Sequence, residues 1–222
     1  MSKQKVTYAS QFENHPIQTD KSKNHGCIEN IVDGYLKRLE YMKAKHRQTV
    51  VTQLVATMPQ DVDPTQANKI IGRCLEGFKK NMNNNGIDIQ YGWVRETLEH
   101  QPDSDTDARP HYHIGIIANG SKIQSAVTPA KHLDRLLAKQ LGGDSQTGYI
   151  HYCKPNAEKY DKQAQCKTEK SSAIKIRRDK PFADEQTDNA LNWLSYAGKI
   201  SQKGNVPYRQ REFGFTRIPK EE

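Results

Sequence analysis

Apolar residues along this chain fall into blocks of helical and strand period, divided by turn-forming stretches. Ile28, Ile31, Val32, Tyr35, Leu36, Leu39 and Met42 recur at three- and four-residue spacing, which predicts an amphipathic helix over 25–45. Thr49 to Thr57 is rich in β-branched residues and stops at Pro59, as a strand does. Ala67, Ile70, Ile71, Cys74, Leu75 and Phe78 mark the inner face of a helix from Thr65 to Met82, ended by Asn83-Asn84-Asn85-Gly86. Ile87, Ile89, Tyr91 and Trp93 then alternate with Asp88, Gln90, Gly92, Val94 and Glu96, the period of a strand with one buried side. A loop over 101–110 leads into His111-Tyr112-His113-Ile114-Gly115-Ile116-Ile117-Ala118, a further strand. Leu133, Leu136 and Leu137 give a helix from Pro129 to Leu141, followed by a short strand at Tyr149-Ile150-His151-Tyr152. A basic excursion over 154–185 and a last helix over 187–203, with Leu191, Leu194 and Ala197 inward, come next. The basic, aromatic stretch Tyr208 to Arg217 suits base stacking or a final edge strand.

The resulting β-α-β-β-α-β order predicts an α+β chain built on a ferredoxin-like split βαβ antiparallel sheet. Its helices are expected on one face, with the other face open for an active site. An N-terminal helix and a C-terminal Tyr-bearing helix are added to that plan. Residues 1–24, polar and without clear period, are expected to form a flexible arm, and 25–222 a single domain.

Composition narrows the partner. Lys and Arg number 34 against 26 Asp and Glu in 222 residues, a formal net charge of +8. Such a balance favours a polyanion, because basic side chains release the counterions condensed on nucleic acid. Cys27, Cys74, Cys153 and Cys166 form no Cys-x-x-Cys pair and read as reduced thiols. No apolar run is long enough to span a bilayer, so a cytoplasmic location and no membrane partner are expected.

Candidate chemistry lies on the His strand. Alternation puts His111 and His113 on one side, roughly 6–7 Å apart along the backbone, and turns Tyr112, Ile114 and Ile116 into a core. Glu96 has the parity of that same surface, whereas Glu99 does not. Two imidazoles and a carboxylate suit Mg²⁺ or Mn²⁺ with coordination positions left open. The same histidines read equally as hydrogen-bonded strand residues, and a structural zinc site using Cys153 lacks the usual ligand spacing. Tyr196 and Lys199 stand at i and i+3 on the last helix. A metal-held phosphate, a phenol to attack it, and an ammonium to bind a phosphate oxygen or lower the phenol's pKa are the parts of phosphodiester transesterification. Tyr160, Tyr152 and Tyr149 are the next candidate nucleophiles. Arg95, Lys154, Arg177, Arg178, Arg209 and Arg211 are candidate DNA contacts, and Gly198 is expected to let the backbone approach DNA.

Pro110-His111-Tyr112-His113 followed by apolar residues resembles the signature strand of the HUH superfamily of single-strand DNA nickases. Ser195-Tyr196-Ala197-Gly198-Lys199 resembles the Tyr-x-x-Lys motif of its replication initiators. The order Trp93-Val94-Arg95-Glu96, His111-Tyr112-His113, Tyr196 to Lys199 and Arg211-Glu212-Phe213-Gly214 is similar to the inovirus-type, filamentous-phage-like replication proteins, over residues 28 to 217. The resemblance implies that His111 and His113 are metal ligands, Glu96 the third ligand and Tyr196 the nucleophile. It implies nicking and rejoining of single-stranded DNA, or of a hairpin, at a replication origin through a 5′-phosphotyrosine, which starts rolling-circle synthesis. Host helicase and polymerase in a bacterial cytoplasm are the implied partners. Some phage initiators carry two tyrosines on this helix, and only Tyr196 stands here. A relaxase- or transposase-type HUH nickase and a non-catalytic basic nucleic-acid-binding domain are the competing readings.

Overall fold

The computed structural model describes residues 4–97, 110–143, 148–155, 172–200, 203 and 210–219. Glu99, Tyr160, Cys166 and Arg209, together with most of the 98–110 loop and half of the basic excursion, lie outside the described residues.

The chain opens on four two-residue strands, β1 (Val6–Thr7), β2 (Gln11–Phe12), β3 (His15–Pro16) and β4 (Cys27–Ile28), with β1 paired to β4 and β2 to β3. This corrects the expectation of a flexible arm. Ile17 is buried, His15 Nδ1 lies 2.6 Å from the Asp188 carboxylate, and the Gln18 N–H donates to the Ser195 hydroxyl at 2.8 Å. A segment polar by composition is ordered because its few apolar groups and backbone donors find partners on the last helix.

Helix α1 (Glu29–Lys45) has no side-chain cap; the Glu29 N–H instead donates to the Lys5 carbonyl at 2.9 Å. Glu29 in its first turn, with Lys43 and Lys45 in its last, complements the helix dipole. Then come β5 (Gln48–Thr57), α2 (Pro64–Asn84), β6 (Ile89–Thr97), β7 (Pro110–Asn119), α3 (Val127–Gln140) and β8 (Ile150–Tyr152), in the expected β-α-β-β-α-β order. Asp63 caps α2 by accepting the Thr65 N–H at 2.8 Å, and Pro64 opens its first turn. The described chain ends with β9 (Ile174–Arg177), α4 (Ala183–Ser195) and β10 (Phe213–Phe215).

The main sheet runs β10-β6-β7-β5-β8, with β9 on β5 beside β8, and each of these pairings is antiparallel. Strand β7 therefore separates β5 from β6. The chain is α+β.

Alternation along the strands builds two cores. Leu54, Ala56, Tyr112, Ile114 and Ile116 pack with Ile71, Leu75 and Phe78 of α2 and Leu133 and Leu137 of α3. Val51, Val94 and Ile117, of the other parity, pack with α1 and α4 through Tyr35, Leu39, Leu191 and Leu194. The expectation of helices on one face is thus corrected: both faces are covered, so that in β5 residues of both parities are buried, the polar Thr49, Thr52 and Gln53 among them. Gly92 and Gly115 face each other across β6 and β7, and Tyr35 lies against both, its hydroxyl donating to the Gly92 carbonyl at 3.2 Å. A Cβ on Gly115 would meet the Tyr35 ring at 2.5 Å and Leu194 at 2.6 Å, so glycine is what lets both helices lie on the sheet here.

Helix α4 spans Ala183–Ser195, not 187–203. Asp184 and Glu185 in its first turn favour the earlier start, and after Ser195 the chain tightens into one 3₁₀ turn, Tyr196–Gly198. Gly198 does not serve an approach to DNA. It is buried, and a Cβ there would stand 2.5 Å from the Cys27 sulfur, so it lets the turn lie on the N-terminal ribbon. Among the described residues no helix is long and apolar enough to cross a membrane.

Candidate active site

At the end of the sheet beyond Gly92 and Gly115, one register line joins Glu96, His111 and Thr57, and the next joins Val94, His113 and Val55. Residues directly opposite in antiparallel strands share a face. Strand pairing alone therefore gathers Glu96, His111 and His113 on one surface, as their parities require.

Glu96 is 3% exposed, and its two carboxylate oxygens have different partners. Oε2 lies 2.8 Å from His113 Nε2, and Oε1 accepts from the Lys203 ammonium at 2.5 Å. Burial alone would raise the carboxyl's pKa; the hydrogen bond and charge of His113, with the charge of Lys203, outweigh it and hold the pKa below its ordinary value. Burial pushes the Lys203 ammonium down against the attraction of Glu96. His111 Nδ1 lies 3.1 Å from the Thr57 hydroxyl.

Tyr196 stands beside this group. Its ring centroid is 5.7 Å from that of His113, the planes are tilted by 58°, and the residue is 36% exposed. The Lys199 ammonium lies 4.1 Å from the centre of the Tyr196 ring, a cation–π contact. The phenol's pKa is raised, first by burial and then by the nearby negative charge of Glu96 and Cys153. The expected lowering by Lys199 is therefore not realised: the ammonium stands over the ring, and the net shift is upward.

The donor set can be tested against a divalent ion. The 2.8 Å between His113 Nε2 and Glu96 Oε2 is close to the spacing of neighbouring ligands on an octahedral ion with bonds of about 2.0–2.1 Å. His113 Nδ1 is buried without a hydrogen-bond partner. His111 completes the set through its place on the same face, and the Thr57 contact orients its ring as an outer partner orients a ligand. Among the described residues no three His, Cys, Asp or Glu side chains stand together closely enough to hold a metal ion, so His111 is joined to the Glu96–His113 pair by register alone. In donor type, one imidazole and one carboxylate 2.8 Å apart with a second imidazole on the same face, the set is of the kind that a hard divalent cation takes.

The candidate DNA contacts separate. Arg211 lies at the same end of the sheet as the site: the Glu212 carbonyl accepts the Arg95 N–H at 2.7 Å, and the Arg211 carbonyl accepts from Asn68 of α2 at 2.8 Å. Lys154 is exposed and follows Cys153, whose thiol is near enough to act on Tyr196. Arg95 is corrected: it is 1% exposed, and Nη1 donates to the Pro64 carbonyl at 3.1 Å and to Gln210 Oε1 at 2.7 Å, tying α2 to the stretch before β10. Arg177 and Arg178 stand elsewhere in the fold than expected. They are not part of an irregular excursion but sit at or just past the end of β9, paired to the Gln48 end of β5. That end is about 30 Å from Thr57 at the rise of an extended strand. Arg178 is spent on the Lys43 and Ala44 carbonyls, where it closes α1.

Lys203 and Thr57 are site residues that the sequence reading missed. No helical period marks Lys203, since α4 ends at Ser195 and the chain leaves the following turn extended at Lys199. Comparison with known proteins gives no match to a family model, a curated protein or a solved structure.

Proposed function

We propose that this chain is a metal-dependent single-strand DNA nickase and strand transferase of the HUH type, acting at a replication origin to start rolling-circle synthesis. The observation that carries the reading is the Tyr196 ring 5.7 Å from His113, beside a His113–Glu96 contact of 2.8 Å. The strand order β8-β5-β7-β6, with β7 inserted between strands joined through α2, supports a ferredoxin-like split βαβ arrangement.

In this reading the Tyr196 hydroxyl attacks the scissile phosphorus. The new O–P bond forms as the bond to the 3′-oxygen breaks, the phenol proton passes to solvent, and the leaving oxygen takes up a proton as a free 3′-hydroxyl. The 5′-phosphate stays on Tyr196, and the reverse step rejoins the strand. Glu96, His113 and His111 would hold Mg²⁺ or Mn²⁺, which when bound polarises a non-bridging phosphate oxygen. Lys199, against the phenol ring, would meet a phosphate oxygen. Strand separation and synthesis fall to host helicase and polymerase in a bacterial cytoplasm.

The test is incubation of the protein with end-labelled single-stranded or hairpin DNA and Mn²⁺, followed by denaturing electrophoresis. A conjugate that forms with the natural protein and not with Tyr196→Phe is expected. Salt-sensitive binding with no conjugate from either would leave a nucleic-acid-binding domain in place of the enzyme.

A further inference from the structure

Lys203 is the residue of this site whose part the nickase reading leaves unassigned, and the role given to it here rests on that reading. Its side chain is 5% exposed, and its ammonium is held on Glu96 Oε1 at 2.5 Å. The other carboxylate oxygen faces His113 Nε2 at 2.8 Å. The two oxygens of one ligand are thus divided between the Lys203 ammonium and the imidazole.

We infer that Lys203 is a positioning residue that restricts Glu96 to one-oxygen coordination and so selects a small octahedral cation, Mg²⁺ or Mn²⁺, against Ca²⁺. Ca²⁺ takes six to eight oxygens at about 2.3–2.6 Å and often both oxygens of a carboxylate, whereas Mg²⁺ demands octahedral geometry at about 2.0–2.1 Å. With Oε1 occupied, two-oxygen coordination by Glu96 is closed. The remaining nitrogen and oxygen are already spaced for the smaller ion. Lys203 touches neither the substrate nor the ion; it acts through Glu96, as outer partners of metal ligands do.

Charge and geometry separate cleanly here. The ammonium repels every divalent ion alike, so its removal changes Mn²⁺ and Ca²⁺ affinities by a common factor. Only the restraint on Glu96 changes their ratio.

The experiment is calorimetric titration of Mn²⁺ and of Ca²⁺ into the natural protein, Lys203→Met and Lys203→Gln, without DNA, with Mn²⁺ binding followed also by electron paramagnetic resonance. The natural protein should bind Mn²⁺ at least about tenfold more tightly than Ca²⁺. Lys203→Met should lose that ratio by about tenfold, while Lys203→Gln, which keeps an N–H donor for Oε1, should retain it. Glu96→Gln should abolish Mn²⁺ binding, which places the titrated ion at this carboxylate. Equal affinity of the natural protein for both ions, or an undiminished ratio in Lys203→Met, overturns the inference and leaves the metal reading standing. If Lys203→Met does not fold, a lost ratio in Lys203→Gln overturns it instead. A natural protein that binds neither ion overturns the metal reading and this inference together.

Discussion

At Glu96 a buried carboxylate is held charged by Lys203 and His113, and the sign of its pKa shift sets how stability follows pH. Its folded pKa lies below its ordinary value, so the stabilisation is present above the unfolded pKa and disappears as pH falls through the folded one. Urea denaturation of the natural protein should therefore show stability falling as pH drops below about 4, with a shallower fall in Glu96→Gln. The shallower fall is not zero, because Asp88, held below its ordinary pKa by Lys45 and His46 against burial, behaves the same way. At neutral pH Glu96→Gln leaves the buried Lys203 charge without its partner, and a loss of about 3 kcal/mol is expected from the same denaturation curves. Parity in the sequence was enough to place Glu96 with His111 and His113, because period-two alternation survives any reasonable packing. The same rule, applied to Arg95, places it on the opposite side from Glu96, under α2, and marks it as buried. Its charge pointed to DNA; its register pointed inward, and the register prevailed.

Among the elements, the contact of α1 and α4 with the sheet depends on the missing side chain at Gly115. Gly115→Ala should cost about 1–3 kcal/mol through overpacking against Tyr35 and Leu194, measured by thermal or urea unfolding. The N-terminal ribbon braces the Tyr196 turn from the other side: the Ile200 N–H donates to the Gly26 carbonyl at 3.1 Å, and Cys27 bridges Lys199. Ile17 is 5% exposed within the core under α4. Ile17→Ala should lose about 2–4 kcal/mol and should also slow conjugate formation, since the turn loses support; a stability loss with unchanged rate would detach the ribbon from the site. Helix α1, β5, α2, β6, β7 and α3 were legible because each repeats its period over many residues. The ribbon was not, because two-residue strands carry no period and are fixed by distant partners. In β9, Ile174 and Ile176 do alternate with Lys175 and Arg177, but four residues inside a basic stretch are a weak signal.

Across the molecule, the described basic side chains stand at both ends of the sheet. Arg47, Arg177 and Arg178 lie at the Gln48 end of the sheet, while Arg211 and Lys154 are nearer the catalytic candidates. For a short oligonucleotide spanning only the cleavage point, Arg211→Ala should weaken binding and reduce the salt slope by about 1, with Arg177→Ala close to the natural protein. The reverse pattern would place the strand across the other end of the sheet. Composition indicated a polyanionic partner but gave no map of the charge, since that depends on which strand ends face each other.

The most direct measurement is mass spectrometry of the protease-digested protein–DNA conjugate formed with Mn²⁺. A nucleotide-linked peptide carrying its phosphate on Tyr196 is the expected result; a phosphate on Tyr149, Tyr152, Tyr160 or any other residue, or no linked peptide at all, would contradict the seating of the phenol beside His113 as the catalytic arrangement.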